Sequence, residues 1–310
     1  MITTLAVATL PAIAQAPFLD LVDSAAFEEV DSASDVEIEV GAETPAFSLS
    51  TYNLVVFEDL SSNSEVEGSA FVGGDLNGSS ASFCIKCAPS GSFAPLNGTG
   101  LKVVGDINGN PKQVNNGSGL EYGGTLNAIV NANGGGSKTQ SSTLIGEFDE
   151  LKTFLLNLSS QLVNLETNSE VVVPDQQPGA VQFNASGAEV AIFHIEADQL
   201  FSSKTQQIEL NRNGSETIII NVGGESADWT QGNMVGALVD DAVQQNVIWH
   251  FYEAETLQFN NAFHGSLLAP FATLTNQTEL EGTIVVESFE QRGEVHLPVF
   301  TGALPVLLDF

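Results

Sequence analysis

Positive charge is scarce in this chain. Its 310 residues include 8 lysines and arginines but 39 aspartates and glutamates, which gives a formal net charge of −31. A field of that sign repels phosphate backbones and anionic membrane surfaces, so we expect no nucleic-acid partner. The acidity is typical of a solvated extracellular surface, and it could also collect divalent cations.

The motifs of common enzymes are missing. There is no H-E-x-x-H, no G-x-S-x-G and no phosphate-binding glycine loop. A polysaccharide lyase needs clustered cationic side chains, whereas this chain has only Arg212, Arg292 and dispersed lysines. A glycosidase-like carboxylate pair would arise by accident among 39 acids and carries no information. The sequence therefore predicts a protein that is not an enzyme and has no catalytic residues.

Histidine is scarce as well, and metal ligands are few. The four histidines are His194, His250, His264 and His296. His194 and Glu196 lie two residues apart, as do Glu294 and His296, so each pair would share one face of a strand. A transition metal needs three or more ligands, and whether His264 joins His296 stays open. We expect histidines that make structural hydrogen bonds.

Calcium is the one cofactor that the sequence leaves open. Asp106, Asn108 and Asn110 have the first half of the spacing of a calcium loop. Pro111 follows them, and the distal glutamate of such a loop is absent. We keep these three residues as candidate Ca²⁺ ligands.

Only two cysteines occur, Cys84 and Cys87. One C-x-x-C pair cannot complete a four-ligand zinc site. The Ser, Pro and Gly residues that follow do not begin the helix of a redox motif. In an exported chain we predict that these cysteines close a small disulfide loop.

No later apolar run is long enough to cross a bilayer, so we expect no integral membrane segment. Residues 1–16, MITTLAVATLPAIAQA, have the apolar core and small residues of a signal peptide but lack its basic start. We predict secretion, with a frayed apolar terminus as the alternative. Residues 17–46 carry many carboxylates and no Lys or Arg, which predicts a disordered acidic leader. Residues 306–310 are interpreted as a short tail.

Asparagine, serine and threonine are plentiful and form N-x-S/T sequons. These fit a eukaryotic secretory route and are candidates for glycosylation. They are Asn77, Asn97, Asn116, Asn157, Asn184, Asn213 and Asn276.

Short apolar segments separated by Gly and Asn recur between residues 47 and 305. A pattern of Gly, then Ser or Thr, then apolar residues appears at Gly68, Gly124, Gly265 and Gly282. The last two glycines are 17 residues apart, which is too short for a βαβ unit and close to one coil of a β-solenoid. We predict a mainly β, single-domain, β-helix-like solenoid over residues 47–305. Phe263–Phe289 would form two adjacent coils.

One segment breaks this texture and predicts an amphipathic helix over about residues 142–166. Apolar residues advance by alternating steps of four and three, which places them on one helical face. They are Leu144, Phe148, Leu151, Leu155, Leu158, Leu162 and Leu165. We expect this helix to pack along the side of the solenoid, with a coiled-coil dimer as the alternative.

Residues 48–305 resemble the choice-of-anchor A domain, a family of secreted and surface proteins often grouped with adhesins. The resemblance rests on YNLVVFEDLSSNSEVEGSAFVGGDL, on ETIIINVGG, and on the run from FHGSLLAPFATLTNQTELEGTIVVESF to GEVHLPVFTGALP. It implies a β-solenoid-like adhesin fold without an established catalytic role. Family members commonly carry a C-terminal surface anchor, and the ending LPVLLDF shows no sorting motif, so covalent anchoring is not expected here.

Together these features predict a secreted, acidic, adhesive protein of a cell surface or extracellular matrix. It would present a solenoid face to a carbohydrate or an extracellular protein. Two alternatives stay open: an ice-binding protein, which needs ranks of Thr like Thr273 and Thr275 on several coils, and a carbohydrate-active enzyme on a β-helix.

Overall fold

The computed structural model describes residues 47–305. In that range the protein is mainly β, with long parallel sheets and few helices. The predicted signal peptide at 1–16, the acidic leader at 17–46 and the tail at 306–310 lie outside the described residues. Within residues 47–305, no helix combines the length and the apolar character needed to cross a bilayer.

Short strands fill the chain before the long helix. They are β1 (Leu54–Val56), β2 (Leu60–Ser62), β3 (Glu65–Val66), β4 (Ala70–Val72), β5 (Leu76–Asn77), β6 (Ala81–Phe83), β7 (Thr99–Val103), β8 (Lys112–Val114), β9 (Gly119–Tyr122), β10 (Val130–Ala132) and β11 (Lys138–Gln140).

Helix α1 (Leu144–Leu162) interrupts the strands, and the remaining strands follow it. They are β12 (Glu170–Val172), β13 (Gly179–Asn184), β14 (Val190–Glu196), β15 (Thr205–Asn211), β16 (Thr217–Gly223), β17 (Ser226–Trp229), β18 (Asn233–Gly236), β19 (Val247–Phe251), β20 (Thr256–Phe259), β21 (Phe263–His264), β22 (Ser266–Asn276), β23 (Leu280–Glu281), β24 (Ile284–Gln291) and β25 (Val295–His296). Two short helices, α2 (Ala197–Leu200) and α3 (Asp241–Gln244), lie among them.

These strands form three sheets. The large sheet has 14 strands, and its main path runs β11-β9-β7-β4-β1-β24-β22-β19-β16-β14. Strands β17, β20, β2 and β5 extend it along a second ladder through β22 and β24. A seven-stranded sheet runs β10-β8-β6-β3-β25-β23-β21, and a four-stranded sheet runs β12-β13-β15-β18. The ladders between these strands are parallel except for the pairing of β12 with β13.

The first strand does not lie at an end of the large sheet. From β1 the path steps outward through β4, β7 and β9 to β11, and after α1 the chain re-enters at the opposite end with β14. It then steps back through β16, β19 and β22 to β24, which pairs with β1 in the register Leu54↔Ile284. We call this junction the seam.

A buried amide bridges the two halves of the chain at the seam. Asn53 Nδ2 donates to the carbonyls of Gly282, at 2.7 Å, and His296, at 3.0 Å. Its Oδ1 accepts from the N–H of Gly68 at 2.9 Å. Asn53 is fully buried, so each of these groups would lose its partner without gaining water if the amide were removed.

Alternation along the strands separates two cores. In β1, Leu54 and Val56 join the main core, which also contains residues of the other two sheets, whereas Val55 points to the opposite face and packs in a second core with α1. Burying an aliphatic side chain of this kind contributes about 1.5–3 kcal/mol. The parallel strands read as nearly continuous apolar runs because both of their faces are covered there.

The amphipathic stripe of α1 faces the large sheet. Its buried apolar residues are Leu144, Phe148, Leu151, Leu155, Leu158 and Leu162, and Leu165 packs beside them just after the helix. Their partners on the sheet include Val55, Phe71, Ile219, Ile248, Leu268 and Val285. The helix spans Leu144–Leu162 and is shorter than the predicted range of about 142–166. It ends at Leu162 because the chain turns at Val163–Leu165.

Glycines with left-handed backbone geometry precede β22 and β24. Gly265 has φ of +101° and Gly282 has φ of +124°, values that L side chains rarely adopt. A Cβ on Gly282 would lie 2.7 Å from the carbonyl carbon of Gly265. The Gly-Ser/Thr-apolar pattern thus marks two successive turns stacked directly on each other.

We predict that Asn53→Ala lowers the free energy of unfolding by about 3 kcal/mol, because it leaves buried polar groups on both sides of the seam without partners. Chemical denaturation of the purified protein would measure this. The matched control is Asn133→Ala, which removes an exposed amide that bridges Gln113 and Asn115 and should cost less than about 0.5 kcal/mol. Equal losses in the two variants would contradict the role of Asn53.

Candidate functional site

Polar side chains form two rows across the second ladder of the large sheet. The strand register aligns Ser226, Thr256, Thr273 and Ser288 in one row. Two residues further along, it aligns Asp228, Gln258, Thr275, Glu290, Ser61 and Asn77 in a second row. We call these ten residues the polar face.

An apolar row lies between the two polar rows of the polar face. Ala227, Leu257, Leu274, Phe289 and Leu60 alternate with the polar residues and are buried in the main core. Neighbouring strands lie about 4.8 Å apart, so hydroxyl, amide and carboxylate groups repeat at that spacing. Such a surface can donate and accept hydrogen bonds along an extended polar ligand.

The sequence identifies Thr273 and Thr275 but not the rest of this face. The equivalent positions in adjacent strands hold Ser226 with Asp228, Thr256 with Gln258, and Ser288 with Glu290. The missed signal is a Ser/Thr-x-polar triplet that recurs at intervals of 30, 17 and 15 residues. Unequal insertions between the triplets hide this repeat from a search at a fixed period.

Two histidines and two glutamates alternate across successive strands at one end of the seven-stranded sheet. They are His264, Glu281, His296 and Glu67. His264 pairs in register with Glu281, and Glu281 pairs with His296, so the two histidines share a face with one strand between them. His264 Nδ1 and Glu281 Oε2 are hydrogen-bonded, and Gln244 Nε2 donates to the same carboxylate at 2.6 Å. Burial alone would raise the pKa of Glu281, but the hydrogen bond and charge of His264 outweigh it and lower that pKa.

The row continues on the other side of His296. His296 Nε2 lies 2.7 Å from Glu294 Oε2 and 3.9 Å from Glu67 Oε1. Glu67 also accepts from Lys86 Nζ at 2.7 Å and from the N–H of Leu297 at 3.0 Å. Both histidines are therefore hydrogen-bonded to glutamates, and Glu67 is paired with Lys86. Among residues 47–305, no group of three or more His, Cys, Asp and Glu side chains has an arrangement that could hold a metal ion.

His194 and Glu196 do not form a joint site. His194 Nε2 lies 3.0 Å from Asn221 Nδ2 and 3.2 Å from the carbonyl of Leu165, so its ring contacts the chain just after the end of α1. Glu196 instead lies beside Gly223 and Tyr252. Burial, followed by the charges of Glu253 and Glu196, raises the pKa of Tyr252.

Two of the three candidate calcium ligands, Asp106 and Asn108, belong to ladders of side chains, whereas Asn110 bonds through its backbone N–H to the carbonyl of Gly78. Asp106 Oδ1 accepts from the N–H of Thr125 at 2.6 Å, and Asp75 accepts in the same way from Asp106 at 2.7 Å. Asn108 donates to Asn77 at 3.1 Å and accepts from Asn127 at 2.8 Å. A Cβ on Gly105 would lie 2.2 Å from Asp75 Oδ1, which explains the glycine before Asp106. Calcium binding by Asp106, Asn108 and Asn110 stays a prediction.

Cys84 and Cys87 are joined in a disulfide. Both are fully buried and pack with Phe93, Leu297 and Val299. The disulfide-closed loop after β6 therefore packs against the segment after β25.

The sequons lie in different environments. Asn97 and Asn213 are exposed, whereas Asn77, Asn116, Asn157 and Asn184 are partly buried. Asn276 is fully buried, donates to the carbonyl of Thr278 and accepts from the N–H groups of Arg292 and Gly293. The folded structure thus leaves no room for a glycan on Asn276.

Polar contacts hold both ends of α1 against the large sheet. At its start, Lys102 Nζ is bonded to Glu147 and lies 3.2 Å from Glu121, and Tyr52 Oη donates to Glu147 at 3.4 Å. Burial, with the nearby charge of Glu147, raises the pKa of Tyr52 and keeps its phenol protonated. The side chain of Lys102 is almost fully buried, so this ion pair fixes the position of the helix start.

The end of α1 rests on a hydrogen-bonded cluster around His250. His250 Nε2 and Ser159 Oγ are 2.7 Å apart, and His250 Nδ1 lies 2.7 Å from Asn221 Oδ1. Asn221 Nδ2 donates to the carbonyl of Leu162 at 2.9 Å. Burial, and secondarily the charge of His194, lowers the pKa of His250 to about 3. The neutral ring therefore donates from Nδ1 to Asn221 and accepts from Ser159 at Nε2.

This Ser–His–Asn arrangement has the connectivity of a nucleophilic triad. Ser159 is 4% exposed, and His250 and Asn221 are fully buried. A substrate cannot reach Ser159 Oγ while α1 is docked, so the cluster is suited to positioning the helix.

Comparison with known proteins gives one family. The profile of the family described as "Putative Ice-binding-like adhesive domain" matches residues 45–297, most of the chain, and the chain belongs to this family. No curated protein and no solved structure matches the chain. The match supports an adhesin-like domain, and it does not single out the choice-of-anchor A family.

We predict that acid destabilises the docking of α1 through His250. The unfolded pKa is about 6.5 and the folded pKa about 3, so the unfolded state binds a proton that the folded state excludes. This contribution to stability is complete above about pH 6.5 and is lost towards pH 3, with a loss of about 2 kcal/mol at about pH 5.

Denaturation at about pH 7.5 and pH 5 would measure this loss for the wild type, His250→Gln and the half-exposed His296→Gln. Many carboxylates titrate in parallel, so the informative quantity is the difference between the pH dependences. His250→Gln should remove about 2 kcal/mol of acid destabilisation, and His296→Gln should retain it. Identical pH dependences in the wild type and His250→Gln would contradict the assignment.

Proposed function

Because the chain belongs to the ice-binding-like adhesive family, we propose that it is a secreted, non-catalytic adhesive protein of a cell surface or extracellular matrix. It binds a carbohydrate or an extracellular protein through the polar face. The observation that carries this proposal is the alignment of ten polar side chains in two rows across one sheet.

The proposal includes a β-solenoid architecture. In support, the chain visits the same sheets in turn: β1 and β2 lie in the large sheet, β3 in the seven-stranded sheet, and β4, β5 and β6 repeat that order. Leu267 aligns with Ile284, 17 residues later, and inward side chains of all three sheets share the main core. The narrower assignment to the choice-of-anchor A family rests on the quoted C-terminal motifs.

The electrostatics narrow the class of ligand. With a net charge of −31, the protein repels polyanions unless a divalent cation bridges the two surfaces. Hydroxyl and amide groups dominate the polar face, and Asp228 and Glu290 add single carboxylates to it. Neutral glycans fit this chemistry directly, and calcium would extend it to acidic ones.

The proposal that the protein is non-catalytic is supported by the burial and hydrogen bonding of the serine and histidine side chains that could act as a nucleophile or a base. The Ser159–His250–Asn221 cluster is buried beneath α1, and His264 and His296 are engaged with glutamates. Neither arrangement leaves both an acid and a base free to act on a bound substrate.

Ice binding is a second candidate, favoured by one observation. One row of the polar face consists of aligned hydroxyl side chains from Ser226, Thr256, Thr273 and Ser288. The second row departs from a Thr array because Asp228, Gln258 and Glu290 occupy it. This departure makes adhesion the better-supported function.

We predict that the protein binds immobilised glycans or matrix proteins and that Thr256→Tyr/Thr273→Tyr weakens binding at least about tenfold, because the rings stand above the polar face. Both positions are exposed, and tyrosine is favoured in strands, so the fold should persist. The control is Gln207→Tyr, an exposed position on the four-stranded sheet. A surface array with and without Ca²⁺ provides the measurement. Absence of binding to every neutral, acidic and protein ligand would contradict adhesion.

For the ice-binding candidate, we predict no thermal hysteresis at concentrations where glycan binding saturates, because charged side chains interrupt the second row. Nanolitre osmometry would measure it for the wild type and for Thr256→Tyr/Thr273→Tyr. Hysteresis that the double variant abolishes and Gln207→Tyr retains would establish ice binding instead.

A further inference from the structure

The ladders of two sheets end on the same stretch of chain, residues 119–140, which we call the terminal segment. Its strand β11 ends the main path of the large sheet, and its strand β10 ends the seven-stranded sheet. Between them, Leu126 closes a row of bridges that runs from Leu76 through Ile107.

The outer edge of the terminal segment has backbone groups that face away from the sheets. On either side of β11, Ser137 and Ser141 bond to β9: Leu120 N–H donates to the carbonyl of Ser137, and Ser141 N–H donates to the carbonyl of Tyr122. By alternation, Thr139 faces β9, and the N–H and C=O groups of Lys138 and Gln140 point outward. Among the described residues, these outward N–H groups have no hydrogen-bond partner.

The opposite end of the large sheet is covered over the first part of its edge strand, β14. The side chain of Asn168 accepts from the N–H of Ile192 at 2.8 Å and donates to the carbonyl of Val190 at 2.9 Å, so it occupies the edge of β14. The four-stranded sheet ends beside it in the antiparallel strand β12. At the terminal segment, no side chain of the described residues covers the outward N–H groups of β11 in this way.

The terminal segment also lies in a part of the chain that has few acidic residues. Residues 107–146 contain two lysines, Lys112 and Lys138, and one glutamate, Glu121, so their formal charge is +1 against −31 for the whole chain. Glu121 is paired with Lys102. Ile129, next to β10, is 66% exposed, the largest exposure among the large apolar residues of the described range. Electrostatic repulsion between copies is therefore weakest at this end.

We propose that the terminal segment is a dimer interface, at which two copies of this chain pair their β11 edges antiparallel across a twofold axis. An edge strand is a template for another strand, and a twofold axis makes one edge complementary to itself. Because a twofold pairing uses the same β11 edge of both copies, this contact closes at two copies and does not continue into a filament.

Lys138 is the residue on this edge that could oppose pairing, since edge lysines commonly guard open strands. Its Nζ donates to the carbonyl of Val130 at 3.2 Å, within the same segment. The ammonium group is thus bound to its own chain rather than extended past the edge. Added salt screens the remaining repulsion between the acidic bodies and should strengthen the dimer.

Sedimentation velocity on the full chain, from about 1 to 100 µM and at low and high salt, tests this interface. The wild type should be a dimer at high concentration and should dissociate on dilution. Gln140→Pro removes one outward N–H and should weaken the dimer at least about tenfold. Gln140→Ala removes the same side chain but keeps the N–H, and it should retain the dimer.

A second pair of variants tests the apolar contact. Ile129→Lys should weaken the dimer, whereas Phe271→Lys, at another exposed apolar position six strands from β11, should not. A wild type that is monomeric throughout would overturn the proposal. So would a dimer that Gln140→Pro and Ile129→Lys leave intact, or one that forms only after residues 1–44 are removed. Thermal unfolding of each variant would verify that the fold is retained.

Discussion

The pairing of β1 with β24 is the contact on which the rest of the described structure depends. It joins strands that are more than 200 residues apart in sequence and turns two stacks of strands into one sheet. Asn53 makes this pairing specific, because its buried amide bonds to groups from both stacks. A long loop must close before this contact forms, so it carries the entropy cost that local pairings avoid.

The docking of α1 follows from the seam. Helix and sheet share an apolar core whose sheet residues come from both halves of the chain, including Phe71 from the first and Leu268 from the second. Polar contacts then fix the helix at each end, through Lys102 and Glu147 at its start and through His250 at its end. Burial keeps His250 neutral, which couples the stability of this region to pH.

In this architecture, the polar residues that stabilise the fold differ from those of the proposed binding surface. Ladders of Asp and Asn side chains connect successive turns of the chain, whereas the polar face repeats hydroxyl and amide groups at the spacing of the strands. Adhesion through that face and self-association through the terminal segment would use different surfaces. A dimer would then present two polar faces, and paired sites raise apparent affinity for a repetitive ligand.

Sequence alone determined the β texture, the amphipathic stripe of α1 and the turns at Gly265 and Gly282. These are local signals, set by side-chain period and by backbone freedom. It also indicated an adhesin-like family and placed Cys84 close enough to Cys87 for a disulfide.

Only the tertiary structure decided that β1 meets β24, that His264 and His296 flank Glu281, and that Ser226 aligns with Thr256 and Thr273. The residues read as calcium ligands lie in interstrand ladders for the same reason. In each case, the partners are separated by chain of variable length. Register between distant strands depends on the packing of the whole core, which no local pattern encodes.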